Sequence, residues 1–178
     1  MINIHVRHEK FDEADELYKV LTKKVGADDV GPWVRWATFK MEKQGKPEAG
    51  RAVLQLALRA LPKREHIAAI SKFGILEFKY GETERGRTIF ESILSNYPKH
   101  IDLWSVYLDQ EIQRGGGDVA VVRRLFERVI ALNLSSKKMK FFFKRYLDFE
   151  KKHGTEAGVQ HVKDAARAYI AKKMDEAE

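Results

Sequence analysis

A chain of 178 residues with 44% apolar side chains can bury one ordinary core and is short for two. Its lack of cysteine excludes a disulfide framework and a thiolate metal site and fits a reducing compartment, and no run of about 18 apolar residues reads as a membrane span. The formal charge of +7 turns attention to anionic partners, nucleic acid or acidic protein surfaces, and carries no information on fold.

The opening stretch INIHVRHEKFDEADELYKV has no long apolar core before a small-residue cleavage site, so it is not read as a secretory signal. From there the residues repeat. Steps of 36 from Tyr18 meet Leu54, Phe90, Phe126 and Val162, all large and apolar. Four positions earlier the same steps meet Ala14, Gly50, Gly86, Val122 and Gly158, a column of mostly small residues where helices can approach closely. Three positions after the first column stand Leu21, Ala57, Ile93, Val129 and Ala165, on the same helical face. The register also aligns Arg51, Arg87 and Arg123, and Pro62 with Pro98.

Each repeat divides into two helices. The first unit, 1–29, holds a second helix around Tyr18 and leaves only residues before about His8 for a first one, so it reads as a truncated repeat and the chain as a fragment of a larger protein. In 30–63, Pro32 suits a first helical turn, Trp33, Trp36 and Phe39 keep helical spacing, Gly45 ends the helix, and Pro47 starts a second one closed by Pro62. In 64–99 the same plan places Ile70, Phe73 and Leu76 before Gly81, then Phe90 and Leu94 before Pro98. The unit at 100–134 has Trp104 and Tyr107 before the triple glycine Gly115–Gly117, and 135–174 has Phe143, Tyr146 and Phe149 before Gly154. No stretch alternates with a period of two. The expectation is an all-α, tetratricopeptide-like superhelical solenoid of about five helix pairs in a single domain.

An aromatic pair in the first helix, an acidic residue near its end (Glu77, Glu111, Glu150, with Glu42 after Met41 as a shifted version) and a second helix carrying Arg-x-x-Phe-Glu resemble the half-a-tetratricopeptide (HAT) repeat. The second-helix signature reads RTIFESILSNYP from Arg87 and RRLFERVIALN from Arg123. It is degraded around Leu54 and Gln55 and absent in the fifth unit, where Val159 replaces the arginine and the unit reads as a terminal cap. More narrowly, the stretches from Ile70 to Asp109 and KKMKFFFKRYLDFEKKHG resemble the C-terminal repeats of the ribosomal RNA processing protein five family. That resemblance implies a non-enzymatic scaffold in the nucleolus, docking proteins of the small-subunit processome, with pre-rRNA or the U3 small nucleolar RNA as further partners. It leaves open a scaffold of splicing or polyadenylation complexes, and a direct RNA-binding module.

Among candidate sites, Trp33, Trp36, Phe73, Trp104, Tyr107, Phe143 and Tyr146 suit either a stacking platform for RNA or the helix core, and their helical spacing favours the core. Arg51, Arg87 and Arg123 suit phosphate contact or pairing with the acidic first-helix ends, and pairing is preferred. His5 and His8 are too few for a metal site. Gly115–Asp118 lacks the lysine and hydroxyl of a P-loop, and Ser135 and Ser136 are read as capping the next helix. No catalytic residue, cofactor or metal site is expected. The surface feature that stands out is basic: Lys137, Lys138, Lys140, Lys144, Arg145, Lys151 and Lys152, interleaved with Phe141–Phe143, suit RNA backbone contact, a groove for an acidic peptide, or a solvated face over a core stripe.

Overall fold

A computed structural model describes residues 10–114 and 118–177. Among these are nine helices and no strand: α1 (Phe11–Val25), α2 (Val30–Thr38, continued by a π-helical turn Phe39–Lys43), α3 (Pro47–Ala60), α4 (Lys63–Tyr80), α5 (Thr83–Asn96), α6 (Ile101–Gln113), α7 (Val119–Ile130), α8 (Ser136–His153) and α9 (Glu156–Asp175). The first helix expected for the first repeat, the histidines at 5 and 8, and the triple glycine lie outside the described residues. The chain divides into two compact units, Met1–Pro98 and Lys99–Glu178.

In the first unit α1 is a second helix, followed by the pairs α2/α3 and α4/α5. In the second unit the pairs are α6/α7 and α8/α9. Consecutive helices pack on one another within each unit, and α2 also touches α4. This is the repeat plan of an α-α solenoid. The apolar columns are its core: Ala14, Phe90, Phe126, Val129 and Val162 are fully or almost fully buried, whereas Leu54 is half-buried. Local signals set the ends. Asp29, Asp118 and Thr155 accept hydrogen bonds from the amides of Gly31, Ala120 and Gly158, and Pro47 occupies the first turn of α3.

One interaction ties pair to pair. Arg51 on α3 donates from Nε and Nη2 to the two carboxylate oxygens of Glu77 on α4, at 2.6 and 3.0 Å, and Arg123 on α7 does the same to Glu150 on α8, at 2.6 and 2.9 Å. The carboxylates are buried, with 4% and 1% of their surface exposed. Gly81 and Gly154 leave the room they occupy, since a Cβ at either would collide with the carboxylate. Glu77 also accepts the Glu82 amide at 3.0 Å at the start of α5. One side chain therefore joins three helices: the preceding second helix, its own, and the next. Burial pushes the Glu77 carboxyl up, but the hydrogen bonds from Arg51 and the Glu82 amide, with the Arg51 and Arg85 charges, bring it below the ordinary glutamate value. For Glu150 the Arg123 hydrogen bond dominates and the shift is again downward.

The rest of the second-helix signature follows the same contact. Phe126 stacks on Tyr146 with ring centres 4.7 Å apart and planes 5° apart, and the Tyr146 hydroxyl donates to Glu127 at 2.9 Å. In the earlier pair Phe73 stands where Tyr146 does and has no hydroxyl, and Gln55, in Glu127's place, is exposed. The degraded motif thus matches a partner that needs no acceptor. At the α1/α2 junction the charges invert. Asp15 takes the arginine's place and accepts from Trp36 Nε1 at 2.6 Å and Lys40 Nζ at 2.7 Å.

Three expectations are corrected. The acidic position of α2 is not held by Glu42, which is exposed; the π-helical turn gives the buried place beside Gly50 to Met41. Ser135 sits at the N-cap of α8, but its side chain makes no capping bond, and Ser136 faces Tyr169 instead. Phe141–Phe143 is not a uniform core stripe: Phe142 is buried, Phe143 half-buried, and Phe141 46% exposed.

At Gly86 a Cβ would lie 2.5 Å from the Phe78 ring and 3.2 Å from the Gly74 carbonyl oxygen. Gly86→Leu is expected to overpack this crossing and cost about 1 to 3 kcal/mol, read as a lower urea midpoint; an unchanged midpoint contradicts the close approach. The lowered carboxyls give a pH signature. A folded pKa below the unfolded 4.5 contributes stability that is full above that value and lost as pH falls through the folded one. Tm should therefore drop on acidification below about pH 4.5, less steeply in Glu77→Gln, and equal acid slopes in variant and parent would refute the assignment.

Candidate functional site

The basic segment lies on α8, an 18-residue helix whose buried stripe is Met139, Phe142, Tyr146, Phe149 and Glu150. Helical periodicity forces the intervening cations outward. Lys137, Lys138, Lys140, Lys144, Lys151 and Lys152 are all exposed, and none makes an ion pair with a described residue. Arg145 differs. It is half-buried, pairs with Asp109 on α6, and lies over the Phe141 ring with its guanidinium carbon 5.7 Å from the ring centre. Its charge is committed within the fold.

The structure splits the remaining cations. Lys140 and Lys144 line an open groove of about 900 Å³ between α8 and α9; Lys137, Lys138, Lys151 and Lys152 do not. The groove floor is carbon. Phe143 and Leu147 come from α8, and Val162, Ala166, Ile170 and Met174 from α9. Ile170 and Met174 are 57% and 66% exposed, an unusual placement for side chains of that size side by side on one helix. Ring packing of Phe143 on Tyr169, 5.8 Å between centres, joins the two walls. The rim gains Lys163, Arg167 and Lys173 from α9, and no carboxylate among the described residues lines it. Arg167 and Lys173 have exposed partners in Asp164 and Glu176, which compete weakly in water; Lys163 has none among the described residues.

Of the α8 residues singled out by sequence, Lys140, Phe143 and Lys144 line this groove; its α9 wall was not singled out. The signal was present: Val162, Ala166, Ile170 and Met174 recur at intervals of four, a stripe that the buried residues of α9, Val159 and Val162, cover only at its start. The aromatic set, by contrast, is core as expected. Trp33, Trp36, Phe73, Trp104, Tyr107 and Tyr146 are buried, so they offer no stacking platform, and Phe143 belongs to the groove. The arginine pairing is likewise seen for Arg51 and Arg123. Among the described residues no three His, Asp or Glu side chains gather as a metal site would require, and no helix is long and apolar enough to cross a membrane.

Residues 65–176 match the family model described as the PRP39 N-terminal HAT repeat. The chain belongs to the HAT-repeat family. Over 175 residues this HAT-repeat chain is 46% identical to the protein RRP5 homolog of Mus musculus, and over 176 residues 43% identical to the rRNA biogenesis protein rrp5 of Schizosaccharomyces pombe, covering 97% and 99% of the chain. It spans only 9% and 10% of those two proteins. A more distant match, 25% identical over 142 residues, is the pre-mRNA-splicing factor CLF1 of Paracoccidioides brasiliensis, of which the chain spans 20%.

Since Ile170 and Met174 are solvated in the HAT-repeat chain, Ile170→Ser with Met174→Ser should leave the unfolding free energy within about 0.5 kcal/mol of the parent while lowering binding of a hydrophobic dye. A loss well above that would show the two side chains to be structural.

Proposed function

We propose that this chain is a non-enzymatic scaffold module in ribosome biogenesis, holding assembly proteins of the small-subunit processome in the nucleolus during pre-rRNA processing. The observation that carries this reading is the breadth of the match: 43% to 46% identity across almost the whole chain with RRP5 proteins, one of them named for rRNA biogenesis. The splicing-factor likeness is weaker at 25% and covers less of the chain, so a splicing scaffold is the less supported alternative. The fold supports scaffolding in a physical sense. Its buried carboxylates Glu77 and Glu150 are committed to joining helix to helix, through Arg51 and Arg123. Removal of this segment from the full-length protein should prevent its entry into small-subunit precursors and leave pre-rRNA unprocessed. Normal processing without the segment contradicts the reading.

A second reading, direct contact with pre-rRNA or the U3 small nucleolar RNA, is favoured by one observation. Lys137, Lys138, Lys151 and Lys152 stand exposed on α8, outside the groove and without an ion-pair partner among the described residues. Replacing Lys137, Lys138 and Lys151 with glutamate should weaken RNA binding alike across sequences, because phosphate contacts carry no base information. The slope of log affinity against log salt should shrink by about 0.7 for each phosphate no longer neutralised on a single strand and by about 0.9 on a duplex. An unchanged slope would exclude RNA as the ligand of this segment.

A further inference from the structure

We propose that the groove between α8 and α9 receives an acidic amphipathic helix of a partner protein, seated where the first helix of a following repeat would lie. This rests on the scaffold reading above and specifies the partner's chemistry.

The position follows from the repeat geometry. In α7 the Arg-x-x-Phe-Glu residues Arg123, Phe126 and Glu127 meet Glu150, Tyr146 and Phe149 of the next first helix, α8. In α9 the corresponding positions hold Val159, Val162 and Lys163. Val162 and Lys163 line the groove, so this surface is the one that elsewhere in the unit is covered by a helix. Its chemistry differs from that of α7 in two ways. Without an arginine at Val159, a buried glutamate of the HAT type has no partner, so a repeat in the usual register does not fit. With Lys163 in place of Glu127, the acceptor for a tyrosine hydroxyl has become a cation.

The charge of the occupant follows from the rim. Lys140 and Lys144 on one wall and Lys163 on the other are exposed cations without partners among the described residues, and no carboxylate there lies between them. An occupant with Asp or Glu along both flanks supplies the missing counter-charges. Its shape follows from the floor. Ser136, Lys140, Phe143 and Leu147 recur at three- and four-residue steps along α8, and the facing stripe of α9 continues to Met174, giving a trough of about 16 Å or more, the length of an 11-residue helix or longer. Apolar residues at helical spacing on the occupant would fill it, as in other helix-in-groove complexes. Single-stranded RNA is a poorer match. The aliphatic floor of Ile170, Met174 and Ala166 offers bases no faces to stack on, and the rings of Phe143 and Tyr169 already pack on each other.

The test uses the 178-residue chain and three probes: a fluorescent helical peptide of about 15 residues with leucines on one stripe and glutamates on its flanks, the same peptide with lysine for glutamate, and an oligouridine of similar length. Anisotropy should show saturable binding of the glutamate peptide and little of the lysine peptide. Ile170→Asp should weaken the glutamate peptide more than about tenfold. The double variant Lys140→Glu, Lys163→Glu should reverse the preference between the two peptides, and circular dichroism of each variant should match the parent. Equal binding of both peptides, indifference to Ile170→Asp, tighter binding of oligouridine through the same residues, or self-association of the chain that Ile170→Asp abolishes would each overturn the proposal. Failure here is separable from failure of the scaffold reading. If the full-length protein carrying Ile170→Asp still enters precursors normally, the groove proposal falls and scaffolding stands; if removal of the whole segment has no effect, scaffolding itself falls.

Discussion

The structure depends on a buried carboxylate at the end of a first helix that must be neutralised by the helix pair before it. A glutamate almost wholly withdrawn from water costs several kcal/mol unless it is paired and its remaining lone pairs are occupied. Glu77 and Glu150 meet that demand with a two-pronged arginine from the preceding second helix and a backbone amide from the following one. The apolar columns would be satisfied by many relative placements of two helix pairs. The fork of the guanidinium accepts few, so the ion pair fixes register.

The exceptions obey the same constraint. At the first junction the pair is reversed, with an aspartate on α1 and a lysine on α2, and the glutamate's place is filled by Met41, which carries no charge to neutralise. Met41 reaches it because α2 ends in a π-helical turn, an extra residue that rotates the helix end. At the other end Val159 removes the arginine altogether. A surface built to receive a helix persists on α8 and α9, but the chemistry that selects a HAT-type first helix is gone and lysines surround an apolar floor. A terminal cap in the usual sense presents a polar outer face. This unit presents Ile170 and Met174 to water, which fits the partner helix proposed for the groove.

Much of this was legible in the residues. The spacing of 36 between Tyr18, Leu54, Phe90, Phe126 and Val162 predicted the helix pairs because one face of each second helix must be buried at every repeat. The alignment of Arg51 and Arg123 predicted pairing with acidic first-helix ends because a buried arginine needs a carboxylate. The π-helical turn was not legible, since an inserted residue leaves apolar spacing in α2 intact to the eye and moves only the register of Met41 against Glu42. The groove was half legible. Lysines on α8 announce themselves by number, whereas the open face of α9 is made of Val162, Ala166, Ile170 and Met174, which look like any core stripe until the structure shows that little covers them. Arg145, counted among the free cations by its neighbours in sequence, is tied to Asp109 by a contact 36 residues away that no local pattern signals.

The coupling between helix pairs is measured most directly by a double-mutant cycle on Arg123 and Glu150, using Arg123→Leu, Glu150→Gln and both together, with unfolding free energies from denaturant titration. If the ion pair sets the register, either single change is costly, the double variant is less destabilised than the sum, and the coupling is about 1.5 kcal/mol or more. Additive effects, with coupling below about 0.5 kcal/mol, would show that apolar packing alone sets the register and would contradict the central claim.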